Sequence, residues 1–592
     1  MLLTFLICTG STLAKTKVTQ LNRTADQKHL AIQINGIKDK NLRQHLGDSL
    51  TLNRFKDYAL SHPDQIPILF KKSRTELYTL LQPYGFYRPE ITTKLSQKDN
   101  TWLAVFNIRL NQKLKIGEVQ LQITGAGKND PVFKPLIADF PLKQGNALTQ
   151  QAYEKAKSLL TSTAFNHGYL DAGLTTHQIN IDLKHYTAKV VLTLETGSQY
   201  RLGEISLTQK HYHYDAEFIR RIIRITQGEI FTQNKITEAN KRLQASGYFS
   251  SAQIIPQISK RDHHKHIVPI NINLVAGYAR SYSVGVGYGS FTGPRVSFGT
   301  LFRHVTDTGQ QFSFNTQASP ANTIFQASYL LPGENPLHDN WSLNASQSYT
   351  QTDSFEERQT NFGFGRTHKY GRWQLTFGMQ QYYTSYSTAP APDNQHAKYL
   401  VPGFILGYDN TIEDGFWKRG FIWNNVFQTS IDSPASDETF IRNASDLIYT
   451  LPLNKNWNRI VINGNFGAIN VDNIQAIAPN FRFYAGGIGN LLGYPYLSQG
   501  PKVNGNVTGG KYLATGFFAF EQRVIGNFST LVYYNLGNAS NELDFHDVNI
   551  LKAAGLGLSY KTPLGPLMFF LTRSLNQNDR HWRVDFSIGI SL

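Results

Sequence analysis

The chain has a single cysteine in 592 residues, Cys8. It lies in a short stretch, Met1 to Ala14, where an apolar run from Leu2 to Ile7 precedes Thr12-Leu13-Ala14. This segment (1–14) resembles a secretory signal with a small-residue cleavage site, although no Lys or Arg precedes the apolar run. Ile7 is too bulky for a lipoprotein cleavage site, so lipidation of Cys8 is not expected. Cleavage after Ala14 leaves no thiol, which suits an oxidising compartment and excludes thiolate metal and redox chemistry. Elsewhere no run of about 18 apolar residues occurs, which excludes a membrane-spanning helix.

Catalytic signatures are also missing. There is no Gly-x-Ser-x-Gly and no His-Glu-x-x-His. Gly505 to Tyr512 has P-loop spacing, but Tyr512 stands where a Ser or Thr must meet magnesium, and no helix follows. The run His263-His264-Lys265-His266 has no helix or carboxylate to orient it and reads as a solvated hairpin tip. No enzyme activity, catalytic residue, metal or cofactor is expected, and no nucleic-acid partner.

Acidic charge is scarce in one half only. Residues 1–275 hold 36 Lys and Arg against 21 Asp and Glu, a net +15 of the total +16; residues 276–592 hold 22 against 21. Two regions with different surroundings follow. The basic half offers either plain solubility or a surface for an acidic partner or lipid headgroups.

What is present is repetition. Leu114-Lys-Ile-Gly-Glu-Val-Gln-Leu121 returns as Tyr200-Arg-Leu-Gly-Glu-Ile-Ser-Leu207, and Gln144-Gly-Asn-Ala-Leu-Thr-Gln150 as Gln227-Gly-Glu-Ile-Phe-Thr-Gln233. Gly85-Phe86-Tyr87, Gly168-Tyr169-Leu170 and Gly247-Tyr248-Phe249 recur at a similar spacing. Each unit reads as a strand, two helical stretches stopped by a Gly-aromatic pair, and two more strands. In the third unit Ile236, Ala239, Leu243 and Ala245 share one helix face.

From Tyr278 onward, alternating apolar and polar runs are separated by Gly, Pro, Asn and Asp. They number sixteen: 281–290, 294–304, 310–319, 322–332, 340–352, 359–369, 371–385, 399–410, 420–431, 440–452, 457–471, 512–524, 528–538, 551–562, 564–574 and 581–592. The last alternates Trp582, Val584, Phe586, Ile588, Ile590 and Leu592 with polar or small residues. One greasy and one wet face, at a length that spans a bilayer when tilted, is the pattern of a closing transmembrane β-strand. The even number puts both barrel ends on the side of the repeats. Short turns are expected there and longer loops opposite. The 30 Tyr and 37 Phe suit a lipid face with aromatic belts. In the first strand Gly285, Gly287 and Gly289 point inward, as does Gly589 in the last. The first and last strands, with Phe586 and Leu592 on the latter, are thus expected to meet at a weak lateral seam, or to pack closely against an inserted loop.

The β-α-α-β-β units resemble the POTRA domain. Three of them ahead of a sixteen-stranded barrel resemble the BamA/TamA superfamily of outer-membrane assembly barrels, and the TamA type within it. The matching segments include Tyr84-Gly85-Phe86-Tyr87-Arg88-Pro89, the Ile-Gly-Glu-Val and Leu-Gly-Glu-Ile strand starts, and Arg242 to Phe249. The expected architecture is α+β POTRA repeats at 28–112, 113–198 and 199–275, in the periplasm, followed by an all-β transmembrane barrel at 276–592 in the outer membrane.

The resemblance also implies a site. About 40 residues separate strands eleven and twelve, and within them Phe481-Arg482-Phe483-Tyr484-Ala485-Gly486-Gly487 precedes Leu491-Leu492-Gly493-Tyr494. This looks like the superfamily's sixth extracellular loop, which folds into the lumen with a Val/Ile-Arg-Gly-Tyr/Phe tip. Leu492 holds the arginine position. The strand-thirteen aspartate it would meet is Asn535, and the strand-twelve glutamate position is Glu521. Losing both charges together is close to neutral, whereas losing one strands the other at roughly 3–5 kcal/mol. By resemblance the chain helps insert or secrete outer-membrane proteins such as autotransporters, with a TamB-like inner-membrane-anchored partner. Unfolded clients and outer-membrane lipid are the other expected partners. A two-partner secretion pore for a dedicated substrate, and a passive outer-membrane channel, are the alternatives.

Overall fold

The computed structural model describes residues 29–388, 391–544, 549–562, 565–576 and 580–588. The 1–14 segment with Cys8, and the seam residues Gly589 and Leu592, lie outside the described residues. The chain divides into two compact units. One runs to Arg201 and takes in Ile230–Gln233 and Asp262–Ile267; the other comprises Leu202–Glu229, Asn234–Arg261 and Val268 onward.

The first unit contains two β-α-α-β-β repeats. In the first, strand His29–Asn35 lies parallel to Thr101–Arg109, which pairs antiparallel with Glu90–Lys98. Helices Lys40–Ser49 and Gln65–Leu81 cover the sheet through Leu42, Leu46, Ile66, Leu77 and Leu81. Asp39 caps the first helix by accepting the Asn41 and Leu42 amides, and the second ends at Gly85, whose φ of +90° no β-carbon tolerates well. The second repeat has the same order, with Lys115–Thr124 parallel to Thr187–Glu195 and Gly173–Asp182 on its other side. Its long helix Gln150–Asn166 buries Tyr153, Ala156, Leu160 and Ala164. The Gly-aromatic signature joins repeats: the Gly85 carbonyl accepts the Leu114 amide and the Gly168 carbonyl accepts the Tyr200 amide, each at 2.8 Å. The histidine run is not simply a solvated tip, because His263 turns back to within 3.1 Å of the Tyr200 hydroxyl.

In the second unit the third repeat's strands, Arg201–Lys210, Phe249–Pro256 and Ile267–Ala276, form a sheet in the order first-third-second. Its helix Ala216–Ile223 buries Phe218, Ile219, Ile222 and Ile223. The sheet leads directly into a closed antiparallel barrel of sixteen strands, from Arg280–Gly289 to Trp582–Ile588, with a three-residue strand Ile412–Asp414 folded onto the start of strand nine. Alternation has the expected consequence: Tyr282, Val284 and Val286 are exposed outward, while Phe517, Tyr533 and Phe570 are buried inside.

Two expectations change. The stretch 386–398 lies between the expected strands seven and eight, yet strand seven runs to Thr388 and strand eight begins at Ala391, because pairs such as Ser385↔His396 continue the ladder. The loop asymmetry holds only in the second half of the barrel. Among the first eight strands the described connections on the far side are tight, and two on the repeat side, 303–310 and 333–338, are longer. The reason is docking. Asp307 accepts the Asp215 amide, Gly309 accepts the Tyr248 hydroxyl at 2.7 Å and lies flat beneath the Phe218 ring, and Gly333 accepts Arg221 at 2.8 Å. These turns form the platform of the third repeat.

Candidate functional site: the lumenal loop and the seam

The loop between strands eleven (Asn458–Asn470) and twelve (Tyr512–Ile525) folds into the barrel lumen. Its first part is an aromatic wedge. Ile474, Ile477, Phe481 and Phe483 pack against Tyr382, Tyr399 and Phe440 of strands seven, eight and ten. Arg482 is buried, and three carbonyls, those of Gln475, Ile477 and Thr508, accept its guanidinium at 2.7–3.0 Å. It thus ties the loop to itself rather than to the wall. Wall contacts come from its neighbours: Glu357 of strand six accepts the Asn480 amide at 2.9 Å, the Tyr399 hydroxyl accepts the Ala478 amide at 3.0 Å, and Arg442 donates to the Phe481 carbonyl at 3.1 Å. Sequence reading missed Glu357. Its only signal is an acid in a barrel strand.

The loop tip is a tight turn. Gly486 donates to the Asn490 side chain, and Gly487 donates to the Leu491 and Tyr494 carbonyls. Gly493 has no space for a side chain: a β-carbon would lie 2.7 Å from Thr572 and 3.2 Å from Ala553. Tyr494 carries the docking. Its hydroxyl lies 3.2 Å from the Lys552 carbonyl, 3.0 Å from Ser574 and 2.9 Å from Asn576, while His581 sits 3.0 Å from the Gly493 carbonyl. The tip therefore rests on strands fourteen and fifteen and on the connection leading into sixteen.

Leu492 is buried in an apolar cluster with Phe517, Leu531, Tyr533, Met568 and Phe570. Asn535 is fully buried in the wall, paired in register with Phe517 of that cluster and with Ala553. Neither atom of its amide has a hydrogen-bond partner. A buried unpaired amide costs about 1–3 kcal/mol. Asn535→Val is accordingly expected to stabilise the barrel by about 1–2 kcal/mol, read as a higher temperature for the shift from compact to unfolded gel migration; an unchanged or lower temperature refutes the orphan-amide reading.

Glu521 does not meet the loop as expected. Arg459 of strand eleven holds one oxygen at 2.5–2.6 Å and Ser529 of strand thirteen holds the other at 2.5 Å. The pair belongs to a second closure at the repeat-side mouth. Arg459 stacks 4.5 Å over Trp417, and Arg523 and Lys561 lie 4.2 and 3.8 Å over Phe416. To reach Lys561 on strand fourteen, the turn before strand nine passes strands ten to thirteen and so crosses the mouth.

At the seam, Gly289↔Ser587 is the one register pair between the first and last strands among the described residues. The Ser290 amide donates to the Phe586 carbonyl at 2.9 Å, and the Ser290 hydroxyl lies 3.1 Å from Asp585. Tyr288 and Phe586 meet on the outer face at 6.0 Å. The inward glycines do not leave a void. Ser297 of strand two occupies the space over Gly285, and Arg295 crosses Gly287 to donate to the Ile588 carbonyl at 2.8 Å. Absent side chains on strand one let strand two clasp strand sixteen. Asp585, a fully buried acid held by Arg583 at 2.8 Å, is the seam residue that inward charge in a closing strand signals.

Comparison with known proteins matches this architecture piece by piece. The model of the Omp85 superfamily domain matches residues 306–592, a POTRA model described as the surface antigen variable number repeat matches 200–277, and the model of POTRA domain TamA domain 1 matches 31–110. The chain thus carries an Omp85 superfamily domain behind POTRA repeats. It is similar to the outer membrane protein assembly factor BamA of Neisseria meningitidis, 22% identical over 348 residues, covering 54% of this chain and 42% of that protein. BamA of Nitratidesulfovibrio vulgaris is 20% identical over 522 residues, covering 84% and 64%. The chain thus spans less than two thirds of the length of these relatives. The crystal structure of BamA from Haemophilus ducreyi lacking POTRA domains 1–3 superposes with a TM-score of 0.67 at 15% identity, covering 80% of this chain and 99% of that one, which is a likeness of fold. With that domain the chain sits in the outer membrane, its POTRA repeats in the periplasm. The repeat-side mouth is then periplasmic, and the lumenal loop enters from the cell exterior.

Proposed function

We propose that this protein is an assembly or translocation factor of the TamA type, which inserts or secretes outer-membrane proteins such as autotransporters with a TamB-like inner-membrane-anchored partner. The supporting observation is the seam. Strand one carries Gly285, Gly287 and Gly289 on its inner face, and strand two reaches across it, Arg295 donating to the Ile588 carbonyl of strand sixteen. A client strand that pairs with the released backbone of strand one gains the hydrogen bonds the seam gives up. A passive channel fits less well, because the wedge of Phe481 and Phe483 and the Phe416–Trp417 turn occupy both ends of the lumen. The TamA-type match of the first repeat favours the TamB-like partner over a dedicated secreted substrate. Crosslinking in intact envelopes followed by capture of the chain tests this: a TamB-like protein supports the proposal, a single secreted substrate favours a two-partner pore, and neither favours a channel.

The basic periplasmic half is the surface proposed to meet that partner or lipid headgroups. Binding of the purified POTRA repeats to vesicles containing anionic lipid is expected to weaken steadily as salt rises, since exposed charges are screened beyond about 8 Å at physiological ionic strength. Equal binding at low and high salt, measured by vesicle sedimentation, contradicts it.

A further inference from the structure

We propose that the barrel holds one phospholipid of the periplasmic leaflet in a fixed site beside the base of strand one. A cavity of about 690 Å³ opens there between the barrel and the loop that follows the third repeat's first strand. Its upper wall is one cross-strand row. Arg280 pairs with Phe302, Phe302 with Phe312, and Phe312 with Tyr329, in successive strands. Arg280 has the same parity as Tyr282, Val284 and Val286, so the row faces lipid, not lumen. The lower lip is Tyr212, stacked on His304 at 5.1 Å, with Tyr278 almost fully exposed at the opening. The volume falls within the range of roughly 300–1,000 Å³ typical of small-molecule sites.

The chemistry of the lining is amphipathic in a fixed direction. The Arg280 guanidinium lies 5.4 Å over the Phe302 ring, and no acid pairs with it among the described residues. A cation at the membrane–water boundary, with tyrosine hydroxyls beside it and three aromatic rings on the bilayer side, matches a phosphate, a glycerol and the first methylenes of an acyl chain. Soluble phosphate matches only the first of these. His304 is held in place by its ring nitrogen, 3.1 Å from the His213 carbonyl, so the lip is set before anything binds. The proposal rests on the barrel's orientation in the membrane and not on the TamA-type reading.

The test is native mass spectrometry of the full chain, delipidated in detergent and given back dioleoylphosphatidylglycerol. One lipid per chain is expected to survive activation that strips the rest. Arg280→Gln and Phe302→Ala should each lower the retained fraction about tenfold, equivalent to about 1.4 kcal/mol, while Val284→Ala, outward on the same strand, leaves it unchanged. Compact gel migration of each variant confirms a folded barrel, and Arg280→Lys, which keeps the charge, should retain lipid if Arg280→Gln misfolds. Millimolar inorganic phosphate should not displace the lipid. Retention indifferent to both Arg280→Gln and Phe302→Ala, or no retained lipid in the unaltered chain, overturns the site. Displacement by phosphate reduces it to an anion site and overturns the lipid assignment.

Discussion

If the proposed assembly role holds, oxidising a cysteine pair placed at Gly289 and Ser587 is expected to bring insertion of client barrels into proteoliposomes down to the level of empty vesicles, and reduction is expected to restore it. The two positions are register partners on antiparallel strands, and both side chains face the lumen, so their spacing suits a disulfide. Ser587 is buried with its hydroxyl unpaired, and a cysteine there forfeits nothing; at Gly289 the added β-carbon meets only the Thr292 hydroxyl, at 3.0 Å. Bonds described at the seam include Ser290 to Phe586, in both directions, Ser290 to Asp585, and Arg295 to Ile588, all of them non-covalent. A client that binds only the open form draws on the open fraction of barrels, and a covalent bond across the seam removes that fraction. Insertion that proceeds at full rate with the disulfide intact, as verified by non-reducing gel, eliminates lateral opening from the mechanism.

The second large effect concerns the loop tip. Leu492→Arg places a cation in the cluster of Phe517, Leu531, Tyr533, Met568 and Phe570. An unpaired charge in such a place costs roughly 3–5 kcal/mol, and the tip, held mainly through Tyr494, is expected to undock and become cleavable by external protease. Asn535→Asp alone is destabilising for the same reason, since no donor faces that position. Together the two changes should recover much of the loss, with a coupling of about 2–3 kcal/mol in a double-mutant cycle. Glu521 is not a competing partner, because Arg459 and Ser529 already engage it. Asp585 is one, because its second oxygen is unpaired. A double mutant no better than Leu492→Arg refutes the pairing of positions 492 and 535, and further destabilisation of Leu492→Arg by Asp585→Asn then assigns the cation to Asp585.

Leu492, Asn535 and Glu521 were picked out in the sequence as a loop residue and two wall residues. What Glu521 does was not legible there. Its partner Arg459 is 62 residues away, and the barrel register alone makes them neighbours. The same holds for Tyr494, whose acceptors sit 58 to 82 residues downstream, and for Arg295, which meets Ile588 across 293 residues.

By itself the sequence determined the architecture. Side-chain alternation along a strand, and the helix-stop glycines of a repeated unit, are local properties: lipid on one face and water on the other select period two wherever the strand lies, and a glycine at Gly85 ends a helix whatever packs on it. Sixteen strands and three repeats follow from counting them. Tertiary structure decided everything that depends on which strands become neighbours and which side chains meet inside the closed wall. It turned the glycines of strand one from a void into a passage for Arg295, lengthened the periplasmic turns that carry the third repeat, and moved Glu521 from the loop to the mouth. Contacts of that kind join residues hundreds of positions apart, and no local pattern encodes them, because a side chain's partner is set by closure of the barrel and not by its own stretch of chain.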